Sequence, residues 1–499
     1  MNDKKVLIIG GGIAGLCSGV YLRKAGFEAE ILEMHTASGG LATSWQRNGY
    51  TFENCLHWLV GSKEGGDMNE TWKEVFDIGR LEFFNDDLYQ VIKQGAEKLV
   101  VYRNVDRMER EFLARAPEDA EAVKRFARLV RKLATLKTSG GDSLFSRLAT
   151  LARIVPFLPL LSKNSKLTMA DYAEKFKNPM LRSFFASGLN DLSFLAIAFS
   201  LAWMTNGNAG YPVGGSLKMI GLIEEQFRRL GGSIRFRAKV DKIIVENGRA
   251  AGVVLEGGEE VKSDIVISAA DGHATIFGML GGKFLSDKIR KAYESYKPFP
   301  SYVQVSLGIG SAFLDQPGFM SVSLDREIEI DPQTRVNTLS FRIFNFDPTF
   351  APAGKTSVVC FIPTYNHAYW VSSRASDRAK YESDKKRISD EVSRVFVGEF
   401  PDAKGKIEVV DVASPATVIR YTGNWKGSFE GWLMTPATGI RQLPAILPGL
   451  KDFYMVGQWI SPGGGLPSGL MTARAVSRRV CRDNRIPWGT SLSMKRKAG

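Results

Sequence analysis

The chain has 499 residues, of which 44% are hydrophobic and 24% charged, the composition of a folded protein that is too long for one simple core. No run of 18 uninterrupted apolar residues occurs, so we expect no membrane-spanning helix, and the glycines that closely follow MNDKKVLII argue against a signal peptide. The net charge of +13 favours binding to an anionic membrane or to acidic partners. Nucleic acid is the weakest candidate partner, because no nucleic-acid-binding motif accompanies the charge.

Cysteine and histidine are scarce. The four cysteines lie far apart in the sequence and form no CxxC pair, which argues against a zinc site and against a redox-active dithiol. The chain has only four histidines, so a histidine-based metal site is also disfavoured. We therefore expect no bound metal and a reducing, cytoplasmic location.

A dinucleotide-binding motif occupies residues 5–33. The run VLII predicts a strand buried on both faces, and it leads directly into Gly10-x-Gly12-x-x-Gly15. A helix with apolar residues at helical spacing, a second strand (EAEIL) and the acidic Glu33 follow. The glycines allow a tight turn, close approach of a pyrophosphate and close helix packing, while Glu33 can accept hydrogen bonds from ribose hydroxyls. The alternative is a glycine-rich turn without a ligand, and the strand–helix–strand frame argues against it.

Two segments in the first half of the chain combine apolar and basic residues. Residues 117–137 predict an amphipathic helix with acidic residues at its start and basic residues at its end. Between Lys124 and Lys166 there are ten Lys or Arg residues and a single acidic one, around the apolar segment 144–161. Such a segment suits either the surface of an anionic membrane or a helix packed on the protein with its basic face in solvent.

The rest of the chain alternates between helix-like and strand-like segments. The uncharged run 192–204 is too short to span a membrane and predicts a core helix or the lining of an apolar tunnel. After YPVGG (211–215) come a helix, short strands joined by Asn-Gly and Gly-Gly turns, and the strand-like SDIVISAA. Residues 296–405 predict alternating strands and one basic helix over 372–396, and the C-terminal part predicts a strand, a glycine-rich turn and a helix after Pro467.

Several of these segments resemble the phytoene desaturase and carotenoid isomerase branch of the amine-oxidase-like flavoproteins, which also includes retinol saturases. The resemblance lies in GGGIAGL, in the spacing from Glu33 to the glycine pair Gly39-Gly40, in YPVGGSL and in FYMVGQWISPGGGLPSGL. It implies FAD and an α/β fold in which a Rossmann-type FAD-binding domain (GR2-like) is interleaved with an α+β substrate domain. The implied division is an FAD-binding domain at 1–65, 211–295 and 406–499, and a substrate domain at 66–210, which would face a membrane, and 296–405.

The resemblance also implies which residues meet the cofactor. Val240 would hold the adenine through its backbone, and Gly457-Gln458 would lie along the ribityl-phosphate arm. Backbone amides at the C-terminal glycine turn would face the negative charge of a reduced flavin. The residues expected at FAD are Gly10, Gly12, Ile13, Ala14, Gly15, Glu33, Met34, Gly39, Gly40, Leu41, Ala42, Val240, Gly457, Gln458, Gly464, Gly465, Leu466 and Pro467. His57, in a segment that would pass near the flavin ring, is the candidate catalytic residue; the alternative is a buried histidine bonded by the backbone.

The sequence departs from the family's pattern at four places. Leu41 stands where the family usually has Arg, and Gln458 stands where many relatives have an acid. Ser461-Pro462-Gly463 replaces the His-Pro-Gly that is common in bacterial phytoene desaturases, and Pro467-Ser468 replaces Pro-Gly. These departures leave the family intact and the choice of substrate open.

The implied activity is hydride exchange between FAD and a C–H or C=C bond of an apolar isoprenoid or lipid, as dehydrogenation, saturation or cis–trans isomerisation. Because only one dinucleotide motif is visible, a quinone, oxygen, nicotinamide or another carrier would exchange electrons with the flavin. The alternatives are a flavin amine oxidase, against which Leu41 and the apolar run 192–204 argue, and a non-catalytic FAD-bound lipid-binding protein. The expected location is the cytoplasm, with peripheral contact at the inner face of an anionic membrane.

Overall fold

Helices and strands alternate along the chain in the computed structural model, which describes residues 4–136, 152–186, 188–439 and 441–488. The helices are α1 (Ile13–Lys24), α2 (Asp67–Lys73), α3 (Val105–Arg115), α4 (Ala120–Ala134), α5 (Leu158–Asn164), α6 (Met169–Ala173), α7 (Pro179–Phe185), α8 (Phe194–Thr205), α9 (Gly215–Arg229), α10 (Asp287–Ser295), α11 (His367–Ser376), α12 (Arg378–Glu399), α13 (Pro415–Thr422) and α14 (Gly465–Asp483). A π-helical segment spans Ala274–Met279.

The longest strands lie between residues 301 and 364. They are β1 (Lys5–Ile9), β2 (Glu28–Leu32), β3 (Ser44–Arg47), β4 (Tyr50–Glu53), β5 (Leu59–Val60), β6 (Phe83–Phe84), β7 (Leu88–Gln94), β8 (Glu97–Tyr102), β9 (Ala209–Pro212), β10 (Ser233–Arg235), β11 (Val240–Glu246), β12 (Arg249–Leu255), β13 (Glu260–Lys262), β14 (Ile265–Ser268), β15 (Ser301–Ile309), β16 (Phe319–Asp331), β17 (Thr334–Ile343), β18 (Thr356–Thr364), β19 (Ile407–Ala413) and β20 (Phe453–Met455).

A five-stranded parallel sheet, in the order β10-β2-β1-β14-β20, forms the centre of the nucleotide-binding domain. The side chains of β1 alternate between two cores, as they do in any strand. Val6 and Ile8 pack with Leu16 of α1, whereas Leu7 and Ile9 pack on the side of the antiparallel sheet β11-β12-β13. Burial of both faces explains why this strand is an uninterrupted apolar run.

A seven-stranded sheet, in the order β19-β15-β18-β17-β16-β7-β8, forms the substrate domain. Neighbouring strands are antiparallel except for β16 and β7, which pair in parallel. Helix α12 packs on this sheet because Ile388, Val392 and Phe396, at helical spacing, share a buried cluster with Val305 and Leu307.

A layer of helices that includes α3, α4, α7 and α8 adds a separate apolar core to the substrate domain. In α4 the buried residues Val123, Phe126, Val130 and Leu133 recur every three or four positions, so the amphipathic helix predicted within 117–137 is confirmed. Its first residues, Pro117–Asp119, form a 3₁₀ turn.

The predicted interleaving of the two domains is confirmed, with two corrections. Strand β19 pairs with β15, so the boundary predicted at residue 405 is wrong and the substrate sheet continues to Ala413. The single basic helix predicted over 372–396 is also wrong. The chain breaks at Asp377, whose carboxylate accepts a hydrogen bond from the backbone N–H of Lys380 at 3.0 Å and thereby starts α12 as a new helix.

The segment predicted at a membrane surface is described only in part. Residues 144–151 lie outside the described ranges, and the described remainder includes the 3₁₀ turn Val155–Phe157 and the start of α5. Within the described ranges, no helix has the length and the apolarity needed to cross a bilayer.

Candidate functional site

The first glycine motif forms a tight turn between β1 and α1. Gly10 donates its N–H to the carbonyl of Leu32 at 2.9 Å, which ties the turn to β2. A Cβ atom at Gly15 would lie 2.0 Å from the carbonyl oxygen of Gly10, so helix and turn approach each other closely enough to require glycine there. Gly12 is different: a Cβ atom would meet its nearest neighbour, the carbonyl oxygen of Gly39, only at 3.8 Å. The space beside Gly12 is open for a ligand to approach the backbone.

Glu33 lies at the end of β2 and holds this turn in shape. Its Oε2 accepts a hydrogen bond from the N–H of Gly11 at 2.6 Å, and its Oε1 accepts one from the N–H of His35 at 2.8 Å. Each carboxylate oxygen can accept a further hydrogen bond, which leaves room for the predicted contact with ribose hydroxyls. That contact stays a prediction.

The second glycine pair packs against the first motif. Gly39 donates its N–H to the carbonyl of Gly11 at 3.0 Å, and its φ of +129° is one that residues with a side chain rarely adopt. The turn closes with a hydrogen bond from the N–H of Ala42 to the carbonyl of Gly39, also at 3.0 Å. Two glycine turns thus meet in space to form one cradle of backbone.

The C-terminal glycine turn supplies the other side of this cradle. Gly457 follows β20 and donates its N–H to the hydroxyl of Thr472 in α14 at 2.9 Å. The predicted start of the helix after Pro467 is wrong, because Gly464 is the N-cap and α14 begins at Gly465. Pro467 therefore occupies the third helical position, where its missing N–H removes no intrahelical hydrogen bond.

A large cavity, with a volume of about 2540 Å³, joins these glycine turns to the substrate domain. Every residue predicted to bind FAD lines it except Gly15, which packs against Gly10. The lining residues from that prediction are Gly10, Gly12, Ile13, Ala14, Glu33, Met34, Gly39, Gly40, Leu41, Ala42, Val240, Gly457, Gln458, Gly464, Gly465, Leu466 and Pro467. A glycine cradle open to a cavity fits a dinucleotide. When FAD is bound there, it supplies the acceptor or donor of a hydride.

The part of the cavity that is lined by residues between 158 and 203 of the substrate domain is mainly apolar. We call it the apolar arm; its apolar lining residues are Leu158, Leu161, Leu189, Leu192, Leu195, Ile197, Phe199 and Trp203, and Ser162, Ser165, Ser193 and Ser200 line it as well. Helix α8 serves both roles predicted for the run 192–204: Phe194, Ala198 and Leu201 are buried in the core, while Ala196 and Phe199 line the cavity.

His57 lies in the cavity wall among aromatic side chains. Its ring centroid is 5.8 Å from that of Phe361 and 6.4 Å from that of Phe319. Burial and, secondarily, the guanidinium charge of Arg342 lower the pKa of His57 to about 3. The imidazole is therefore neutral at ordinary pH, which disfavours it as a general acid, and its predicted catalytic role remains a prediction.

Three further residues that line the cavity were missed by sequence reasoning. Asn54 donates from Nδ2 to the carbonyl of Leu41 at 2.9 Å and accepts a hydrogen bond from the hydroxyl of Tyr302, so it bridges the glycine cradle and the seven-stranded sheet. Glu430 projects from the segment GSFEGW. These residues belong to no recognisable sequence motif. Nothing in the sequence around a polar residue in a strand, or around an acidic residue in a loop, indicates that its side chain will line a cavity.

Metal chemistry has no support in the described part of the chain, where no group of His, Cys, Asp or Glu residues is placed to hold a metal ion. Cys17, Cys55, Cys360 and Cys481 are all free thiols. Burial raises the pKa of the Cys17 and Cys55 thiols, which therefore stay protonated.

The fold and the cavity together define a flavoprotein oxidoreductase of two interleaved domains. Residues 13–481 match the family model described as flavin containing amine oxidoreductase, and the chain belongs to that family. It is accordingly an FAD-dependent oxidoreductase, as predicted, and the predicted fold class is confirmed by its structural neighbours.

Relatives over the full chain include enzymes of polyene metabolism. The chain is 24% identical to prolycopene isomerase of Daucus carota, covering 97% of this chain and 82% of that protein. It is 24% identical to the 4,4'-diapophytoene desaturase of a Methylomonas species, covering 97% and 96%. It is 22% identical to human all-trans-retinol 13,14-reductase, covering 95% and 85%. The predicted family resemblance is thereby confirmed.

Solved structures with the same fold are more distant in sequence. Cyclohexylamine oxidase from Brevibacterium oxydans superposes with a TM-score of 0.59 at 15% identity, covering 96% of this chain and 100% of that one. Putrescine oxidase bound to putrescine gives a TM-score of 0.56 at 13% identity, covering 96% and 99%. At this identity the likeness shows the fold alone.

Proposed function

We propose that this enzyme exchanges hydride between FAD and a C–H or C=C bond of a polyene, isoprenoid or other apolar lipid. The observation that carries the proposal is the apolar arm, which belongs to the same cavity as the glycine cradle and is lined by residues from several helices. An apolar chain in this arm would exclude water and position its reacting bond by contact along its length. The names of the carotenoid and retinoid relatives support the same class of substrate.

An amine oxidase is not favoured, because the relatives that match the whole chain are named for reactions of polyenes.

The proposal also includes the electron partner of the flavin. A quinone, oxygen or a nicotinamide would fill this role, since the sequence contains only one dinucleotide motif.

An anaerobic absorption experiment tests this function. The purified flavoprotein is mixed with a colourless isoprenoid, so that the visible band belongs to the flavin alone, first in its oxidised and then in its dithionite-reduced form. Bleaching of the oxidised form means that the lipid gives up hydride, and return of colour to the reduced form means that it accepts hydride. If neither form changes and a cis polyene is recovered without isomerisation, the proposed function is wrong.

We further propose that the protein takes its substrate from the inner face of an anionic membrane, at the entrance of the apolar arm beside α5. Leu158 lines the cavity and is 51% exposed, and the neighbouring Val155 is 57% exposed. The ten basic residues between Lys124 and Lys166 surround this point in the sequence. Apolar side chains beside basic ones favour the surface of an anionic bilayer.

We expect Leu158→Asp to reduce sedimentation with phosphatidylserine-containing vesicles at least about tenfold, since it removes an inserting side chain and adds a repelled charge, each worth on the order of 1 kcal/mol. Leu314→Asp is the matched control, because Leu314 is 75% exposed and does not line the cavity. Equal loss in both variants, or no sedimentation of the wild-type protein at low salt, would show that α5 is not a membrane contact.

A further inference from the structure

The side chain of Glu430 is wedged between the cavity and the start of α14. A Cβ atom at Gly464 would lie 2.4 Å from Cγ of Glu430, and one at Gly465 would lie 3.0 Å from its Oε1. Gly464 and Gly465, together with Leu466, are the residues whose amides are predicted to face the flavin. The carboxyl group therefore lies where the cofactor cradle joins the rest of the cavity.

The backbone that carries Glu430 is held on both sides. The N–H of Phe429 donates to the carbonyl of Pro300 at 3.2 Å, and the carbonyl of Gly431 accepts from the N–H of Phe299 at 2.8 Å. The hydroxyl of Ser428 also donates to the carbonyl of Gly431, at 3.0 Å. A side chain on such a frame has a defined position, which is what a reacting group requires.

Glu430 is half-buried and lines the cavity, and its carboxylate makes no hydrogen bond and no ion pair with the described residues. Glu33 and Glu53, by contrast, each accept hydrogen bonds from backbone N–H groups. Burial alone raises the pKa of Glu430 to about 8, so its carboxyl group carries a proton at neutral pH. An acid that lines a cavity and has a strongly raised pKa is a candidate functional group.

Among the described residues, the groups that lie near Glu430 on neighbouring elements do not form an ion pair with its carboxyl group. Cys55, on the loop after β4, is close enough to Glu430 for the two groups to interact electrostatically, and it stays a thiol chiefly because burial raises its pKa. The start of α14 contributes only backbone amides, and Gln458, beside Gly431, is uncharged.

We propose that Glu430 is the residue that gives a proton to, or takes a proton from, the carbon next to the one that exchanges hydride. This inference rests on the proposed function and adds a named proton carrier to it. In the saturating direction the O–H bond of Glu430 breaks and a C–H bond forms, while the hydride from the reduced cofactor supplies the two electrons of the other new C–H bond. In the dehydrogenating direction the carboxylate takes the proton as the new C=C bond forms, and hydride leaves to the oxidised cofactor.

The protonation state can be measured without turnover. We expect the infrared difference spectrum between wild type and Glu430→Gln to contain the C=O stretch of a neutral carboxylic acid at pH 7, which disappears as the pH rises through about 8. The subtraction is needed because burial also raises the pKa of Glu53 and of Asp271, the latter to about 6. Absence of this band at pH 7 would show that Glu430 is ionised there and would overturn its role as the proton donor in the saturating direction.

Turnover then tests the role of the proton. We expect Glu430→Gln to bind FAD and to melt as the wild type does, to react about 10²- to 10⁴-fold more slowly, and to lose an inflection in its pH profile near 8, because an amide cannot replace a general acid or base. Glu430→Asp, which keeps the acid, should recover part of the rate. In D₂O the wild-type enzyme should place one deuterium on the carbon next to the hydride position.

The outcomes separate this proposal from the function on which it rests. If the wild type reacts and Glu430→Gln reacts at the same rate with the same pH profile, Glu430 is not the proton carrier and the proposed function stands. If the wild type leaves every lipid unchanged, the proposed function is wrong and the proton transfer is wrong with it, whatever the infrared band shows.

Discussion

Gly12→Ala should fold like the wild-type protein and lose most of its bound FAD, with an affinity about 10- to 100-fold weaker, equivalent to about 1.4–2.8 kcal/mol. Gly12 has φ −71°, which alanine adopts readily, and a Cβ atom would have no protein neighbour closer than 3.8 Å. The new methyl group would project into the open space where a pyrophosphate must approach the backbone. The measurements are flavin absorbance per protein after gel filtration, and titration of the apoprotein with FAD.

Two glycines that lie within helices provide the controls for this prediction. Gly15→Ala should damage both folding and FAD binding, since its Cβ atom would lie 2.0 Å from a backbone oxygen. Gly221→Ala in α9 should affect neither adversely and should raise the free energy of unfolding by up to about 1 kcal/mol, because nothing lies within 4 Å of the added carbon. If Gly12→Ala retains FAD with wild-type affinity, the cofactor's phosphates do not bind at this turn.

The glycine motif is also the part of the structure that sequence reasoning predicts best. Its strand, turn, helix and acid lie within residues 5–33, and each follows from local properties: an apolar run, backbone freedom and helical spacing. The meeting of Gly39 with Gly11 is less local, and the resemblance to a known family rather than any pattern indicated it.

Long-range pairing explains most of what could not be predicted. Strand β16 pairs in parallel with β7, more than two hundred residues earlier, and neither strand carries a signal for its partner. The domain boundary at 405 was misplaced for the same reason, since only pairing with β15 assigns Ile407–Ala413 to the substrate sheet. Glu430 shows why the site could not be predicted completely either. Its environment is formed by α14 and by the backbone around Pro300, which are distant from it in sequence.

Blocking the apolar arm should separate lipid chemistry from cofactor binding. Ala196 lies on α8 between Leu195 and Ile197 and lines the cavity, so in Ala196→Trp an indole ring would occupy the arm without displacing the buried face of the helix. We expect FAD content and melting temperature close to those of the wild type. The rate of flavin reduction or reoxidation by a long isoprenoid should fall at least about 100-fold, since loss of positioning alone accounts for effects of this size.

The matched control is Ala379→Trp, which places the same side chain on the exposed surface of α12. A short alkene that reaches the glycine cradle without filling the arm provides the second control, because its reaction should be nearly unchanged in Ala196→Trp. Loss of activity toward both long and short substrates would mean that the indole ring disturbs the cofactor cradle. Unchanged activity toward the long isoprenoid would mean that lipids reach the flavin by another route, and the apolar arm would then be no more than a gap between the helices of the substrate domain.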